Sequence, residues 1–214
     1  MIFKKVIKAC GNNIMKVLVV ATNNSGKFKE IKTIIEQYGI TAMMPDIKID
    51  VEEGTVSYEE NAKLKAYYVM STLGVDALGE DSGIEVLKLG GFPGVISARF
   101  VQGTDLDRNI ALLDRMKNLF NSERRAIFKA YAVIALKDGS YITGYGELKG
   151  KIIDEPKGDN GFGYDPIFVP DGYDMTLAQL PLEVKNSISH RKKAIESVVE
   201  QYIAYYNRLM HFGK

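Results

Sequence analysis

The run Val17-Leu18-Val19-Val20-Ala21, entered through Lys16, restricts the fold of this 214-residue chain more than any other segment. Aliphatic residues without polar alternation are buried on both faces, which places the strand inside a sheet covered by helices. The run leads into Thr22-Asn23-Asn24-Ser25-Gly26-Lys27. Phe28, Ile31, Ile34, Ile35 and Tyr38 then recur at helical spacing until Gly39 closes the segment. Strand, small polar loop and helix is an arrangement in which backbone N–H groups and a helix dipole meet an anion. The loop lacks the glycines and lysine spacing of a P-loop, so a phosphate cradle and an ordinary helix cap both remain open.

Further elements follow in order. Residues 40–44 suggest a second strand. Ser57 and Glu60 form a capping box for a helix with Ala62, Ala66, Val69 and Leu73 on one face, ended by Gly74. Two acidic segments flank that helix: Asp50-Val51-Glu52-Glu53-Gly54 before it and Gly79-Glu80-Asp81-Ser82-Gly83 after it. Taken alone, the second reads as a charged hairpin turn between β-like segments, and the first as a solvated charge pair. A strand-helix-strand unit would bring them together. Leu106, Ile110, Leu113 and Leu119 suggest a helix ending near Phe120. Alternation from Ala126 to Ile134, then Asp138-Gly139, then residues 141–148, predicts a β-hairpin. Within its second arm Gly144 and Gly146 imply a bend or a close contact, and residues 151–153 suggest another short strand. Residues 155–170 are too rich in Gly and Pro for a regular element. Ser189 caps a final helix carrying Ala194, Val198, Tyr202, Tyr205 and Leu209.

Lys+Arg 28 against Asp+Glu 27 gives a net charge of +1 without long single-sign runs, which argues against a sequence-independent nucleic-acid binder. The single cysteine, Cys10, fits a reducing compartment. Apolar runs at 17–21 and 130–136 are too short to span a bilayer, and no secretion signal follows Met1-Ile2-Phe3-Lys4-Lys5. The expectation is a cytoplasmic protein with one domain over 16–214. Residues 1–15 would then be an N-terminal extension or an upstream start.

Two acidic loops, Lys27 at a helix start, an aromatic glycine loop and the cations Lys185, His190 and Arg191 together suit a nucleoside triphosphate. Carboxylates serve Mg2+, cations serve phosphates, and an aromatic ring serves the base. His190 and Arg191 fall in the first turn of the last helix, where cations oppose the dipole, and this points to an anionic ligand.

The same segments, with Gly90-Gly91-Phe92-Pro93-Gly94-Val95-Ile96-Ser97-Ala98-Arg99 and Gly161-Phe162-Gly163-Tyr164-Asp165-Pro166, resemble the Ham1/inosine triphosphatase family. The resemblance implies an elongated α/β fold, with a long mixed sheet and flanking helices forming two lobes around a central nucleotide-binding cleft. It implies Mg2+-dependent hydrolysis of ITP, dITP and XTP to the monophosphate and pyrophosphate, by a homodimer. By position, Thr22, Asn23, Asn24, Ser25, Gly26 and Lys27 would hold the triphosphate, and Ser82 would touch the substrate. Glu52 and Asp81 would bind the metal, with Asp81 accepting the proton of the attacking water. Phe162, Gly163, Tyr164 and Asp165 would frame the base, and Lys185, His190 and Arg191 would complete the site. Glu52-Glu53-Gly54-Thr55 stands where the family commonly has Glu-Glu-Thr-Gly, leaving the choice between Glu52 and Glu53 open. Glu80 stands where many members have Asp, and its role is unassigned.

Overall fold

A computed structural model describes residues 17–212; the expected extension, Cys10 and Lys16 lie outside the described residues. Six strands form one mixed sheet: β1 (Val17–Ala21), β2 (Thr41–Met43), β3 (Ala77–Val86), β4 (Arg125–Ala135), β5 (Tyr141–Ile152) and β6 (Phe168–Pro170). Their spatial order is β2-β1-β3-β4-β5-β6. β1 pairs in parallel with β2 and β3, whereas β3 to β6 pair antiparallel. The helices are α1 (Ser25–Glu36), α2 (Tyr58–Leu73), α3 (Asp105–Arg115), α4 (Leu182–Ile188) and α5 (His190–Phe212). Among the described residues no helix is long and apolar enough to cross a membrane.

The expected α/β class is what the chain adopts. β1 is buried because helices cover both faces. Ile31, Ile34 and Ile35 of α1 and Ala194, Ile195, Val198 and Val199 of α5 pack on Leu18, Val20, Leu78, Ala132 and Ile134. On the opposite face Ala62 and Ala66 of α2 meet Val133 and Ala135. A separate core around Ile84, Leu112, Phe128, Tyr164 and Phe168 fills the other end of the sheet. The Asp138-Gly139 hairpin is present, with Gly139 at φ +87°.

Several sequence expectations change. Gly79-Glu80-Asp81-Ser82-Gly83 is no turn but the middle of β3. Its glycines admit neighbours instead of bending the chain: a Cβ on Gly79 would stand 2.0 Å from the Ala62 carbonyl oxygen, and one on Gly83 would stand 2.4 Å from that of Gly94. Gly144 and Gly146 likewise accommodate α5, where added Cβ atoms would fall 2.4 Å from Ala194 O and 2.1 Å from His190 O. No separate strand exists at 151–153, because β5 continues through Ile152. The glycine-rich stretch 155–170 ends in β6, a short edge strand. In α3 the buried residues are Asn109 and Leu112, while Leu106 and Ile110 face solvent. That helix ends at Arg115, so the longer apolar spacing mixed helix with the loop beyond it.

Candidate active site

β1 stops at Ala21, opposite Gly79, whereas β3 runs on to Val86. Farther along that edge, Ile84 N–H donates to Ser97 Oγ at 2.9 Å and Glu85 bridges to Pro93. Residues 80–83 therefore lie along an edge that neither β1 nor the 90–97 segment pairs. The cleft opens there, at the carboxyl ends of the parallel strands, where open α/β sheets bind ligands.

Strand alternation sends the adjacent carboxylates to opposite faces. Glu80 points toward α1 and α5, bonding Lys27 Nζ at 2.9 Å and Arg191 Nε at 3.1 Å. Burial opposes its charge, but Arg191 and Lys27 outweigh that and hold the carboxyl well below the usual carboxylate range. Asp81 points toward α2, accepting from Lys65 Nζ and Asn61 Nδ2, each at 3.1 Å. Burial pushes its carboxyl up, against the opposing pull of Lys65. Both residues flank the unpaired edge, Glu80 buried beneath Lys27 and Arg191 and Asp81 on the face toward α2.

Glu53 completes the second cluster: it binds Lys65 at 2.8 Å and Arg99 at 2.6 Å. Glu52 is exposed to solvent. Asn61 fastens this loop by exchanging hydrogen bonds with both the N–H and the carbonyl of Gly54. Lys65 thus sits as a single cation between two carboxylates. Among the described residues no group of three or more His, Cys, Asp or Glu side chains is arranged as a metal cage. Two carboxylates nevertheless suit Mg2+, which keeps several waters and takes further oxygens from phosphates.

On the other face the cations converge. Lys185 bonds Glu30 at 3.0 Å and Asp165 at 2.7 Å. Arg191 bonds Glu30 at 2.5 Å through Nη1 and Ser82 Oγ at 3.0 Å through Nη2. The Phe162 ring lies against both, its centroid 4.9 Å from Lys185 Nζ and 5.5 Å from the Arg191 guanidinium carbon. Phe162 N–H donates to Asp165 at 2.9 Å, closing the aromatic loop on itself. Burial raises the Asp165 carboxyl, partly countered by Lys185. His190 stacks on Phe128 with centroids 4.7 Å apart and planes 8° apart. Burial and then Arg191 depress its imidazole well below 6.5, so it is neutral at pH 7.

The expected residues thus separate by task. Asn24, Lys27, Ser82, Phe162, Gly163, Tyr164, Asp165, Lys185, His190 and Arg191 line one cleft. Asn24 also caps α1, accepting from Lys27 N–H at 2.9 Å. Thr22 Oγ1 accepts from Asn24 N–H at 3.1 Å, bracing the loop from below. Asn23 pairs through its amide with both polar backbone groups of Ile49, tying the loop to the chain that leads to Glu53. Ser25 is exposed at the helix start, and Gly26 abuts the Phe162 ring. The Tyr164 hydroxyl donates to Ser97 O at 2.5 Å, leaving the ring as cleft wall. Glu30, Asn61 and Lys65 join the site from outside the sequence motifs. A signal existed for the last two, a polar pair four residues apart beside the Ala62/Ala66 stripe, where both project toward the covered strand.

The open strand ends, converging cations and aromatic loop define an α/β protein with a cleft lined by paired cations and an aromatic ring. The chain belongs to the Ham1 family, whose model matches residues 18–201. It is 42% identical over 183 residues to a dITP/XTP pyrophosphatase of Deinococcus radiodurans, covering 85% of this chain and 90% of that protein. It is 44% identical over 192 residues to one of Thermus thermophilus, covering 88% and 92%. A HAM1 protein from Coxiella burnetii has a similar solved structure, with TM-score 0.77 and 32% identity over 89% of this chain and 100% of that chain. The Ham1 protein of Staphylococcus aureus gives 0.76 and 34% over the same shares.

Proposed function

We propose that this protein hydrolyses dITP, XTP and ITP to the nucleoside monophosphate and pyrophosphate. The observation that carries the reading is the convergence of Lys27, Lys185 and Arg191 beside Phe162, across the open β3 edge from Asp81. The dITP/XTP pyrophosphatase relatives named above support the substrate class.

In the proposed reaction a water attacks the α-phosphorus and gives its proton to Asp81. The bond from that phosphorus to the bridging oxygen breaks, and pyrophosphate leaves. Asp81 suits the acceptor's part because burial raises its carboxyl above the ordinary value, strengthening it as a base. Lys27, Lys185 and Arg191 are paired with Glu30, Glu80 and Asp165. A triphosphate therefore enters by sharing cations already held in place, which keeps them oriented without substrate. Glu53 and Asp81 would hold Mg2+, which when bound neutralises charge on the phosphoryl oxygens; Glu52 is the alternative ligand from the same loop. The homodimer implied by the family resemblance, and the cytoplasmic setting expected from the single cysteine and the short apolar runs, belong to the same proposal.

Incubation with dITP, XTP or ITP and Mg2+ is expected to release pyrophosphate, with loss of turnover in EDTA. Asp81→Asn is expected to keep its circular dichroism spectrum and lose at least a hundredfold in kcat, the scale of general-base catalysis. Exclusive release of orthophosphate would refute cleavage at the α-phosphate, and retained turnover in Asp81→Asn would remove that residue from the chemistry.

A further inference from the structure

The aromatic loop that faces the cleft is held by α3, whose Asp105 and Arg108 also reach the cleft wall. Asp105 Oδ2 accepts the Gly163 N–H at 2.7 Å, and Asn109 Nδ2 donates to the Gly163 carbonyl at 3.1 Å. The two side chains, one helical turn apart, thus grip the peptide groups on either side of a single glycine. Gly163 sits at φ +66° with nothing within 4 Å of a would-be Cβ, so open left-handed backbone and not crowding explains the residue type. A glycine of that kind restricts its loop least, and the clamp supplies the missing restriction. Arg108 holds the clamp in turn, donating to Asp105 Oδ1 at 2.6 Å and to the Gly103 carbonyl at 2.8 Å.

Asn109 also keeps its Oδ1 buried without a hydrogen-bond partner. An unpaired buried amide oxygen works against folding. A leucine of nearly the same shape would avoid that cost in a helix already packed through Leu112 and Met116. The amide is therefore poorly explained by packing and well explained by the one bond it makes to the loop.

We infer that Asp105 and Asn109 are positioning residues for the nucleobase: they fix the Gly163 peptides and so hold the neighbouring Phe162 ring where a base would stack. The inference rests on the nucleotide reading above and adds residues outside the cleft's catalytic half. Both clamp bonds fall on Gly163, next to Phe162, whereas Lys27, Lys185 and Arg191 are carried by α1, α4 and α5.

Titration calorimetry with inosine monophosphate and, separately, inorganic tripolyphosphate tests this. Asn109→Leu and Asp105→Ala are expected to weaken inosine monophosphate about tenfold, the effect of losing one hydrogen bond, and Asn109→Leu, which changes no charge in the cleft, is expected to leave tripolyphosphate affinity unchanged. Asn109→Leu is expected to unfold no earlier than wild type. Asp105→Asn, which keeps an acceptor for Gly163 N–H, is expected to bind the monophosphate almost as wild type does. Undiminished monophosphate binding in Asn109→Leu, or equal loss of both ligands in a folded variant, overturns the inference. Absence of monophosphate binding by the wild type overturns the nucleotide reading itself, and the inference with it.

Discussion

Asp81 and Glu53 share one ammonium group. Lys65 is nine-tenths buried, and burial alone would lower its pKa, yet Asp81 and Glu53 raise it. The lysine stays charged and keeps two carboxylates ionised near each other that would otherwise repel. Glu53 faces this centre while Glu52 faces solvent, and the two can be separated by experiment. Glu53→Gln is expected to raise the Mg2+ concentration needed for half-maximal turnover by about tenfold or more, since one charged ligand becomes neutral. Glu52→Gln is expected to leave it within about twofold of wild type. The reverse order in a Mg2+ titration of initial rates would assign the metal to Glu52.

At the scale of elements, the site depends on how closely α2 approaches β3. Asn61 and Lys65 reach Asp81 because Gly79 lets the helix backbone lie against the strand. Gly79→Ala forces a Cβ to within 2.0 Å of the Ala62 carbonyl oxygen and 2.8 Å of the Ala66 nitrogen, both backbone atoms that no rotamer change relieves. Overpacking of this kind costs on the order of 3 kcal/mol, which in a chain of this size lowers Tm by roughly 10 °C. Because α2 carries Asn61 and Lys65, turnover should fall along with stability. Gly74→Ala is the contrasting case: its φ is +66° but nothing lies within 4 Å, so the penalty is backbone strain alone. Differential scanning fluorimetry is expected to rank Gly79→Ala well below Gly74→Ala, and an equal shift would show that α2 has room to move.

Over the whole molecule, the cleft lies between two separate hydrophobic cores and gathers buried charge, which makes stability depend on pH. His190 is neutral in the fold, with its pKa held below the ordinary 6.5. Below about 6.5 the unfolded chain binds a proton there that the folded chain refuses, so stability is complete above that pH and declines as pH falls through it. Glu80 is likewise held below its ordinary value, and its contribution is lost only at lower pH, beneath its ordinary 4.5. Tm is therefore expected to fall between pH 7.5 and 5.5, and His190→Gln should flatten that portion of the curve. A slope unchanged in His190→Gln would assign the acid sensitivity to other groups.

The parts of this protein written in local sequence were legible without a fold. The aliphatic run of β1, the Ser57 cap of α2, the Asp138-Gly139 hairpin and the stripe of α5 follow from periodicity and turn chemistry, which act between near neighbours. The motifs marked most of the residues that line the cleft, because small polar and glycine-rich segments are poor candidates for packing. Tertiary structure decided what those segments are used for. Gly79 and Gly83 signal a turn to any local reading, yet the approach of α2 and of the Gly94 carbonyl makes them parts of a straight strand. That difference sends Glu80 and Asp81 to opposite faces and sets both beside an edge left unpaired where β1 ends. Lys65, Glu30 and the Asp105–Asn109 clamp acquire their partners across 16 to 155 residues of chain. No local pattern encodes such distances; only packing of the sheet against its helices brings those charges together.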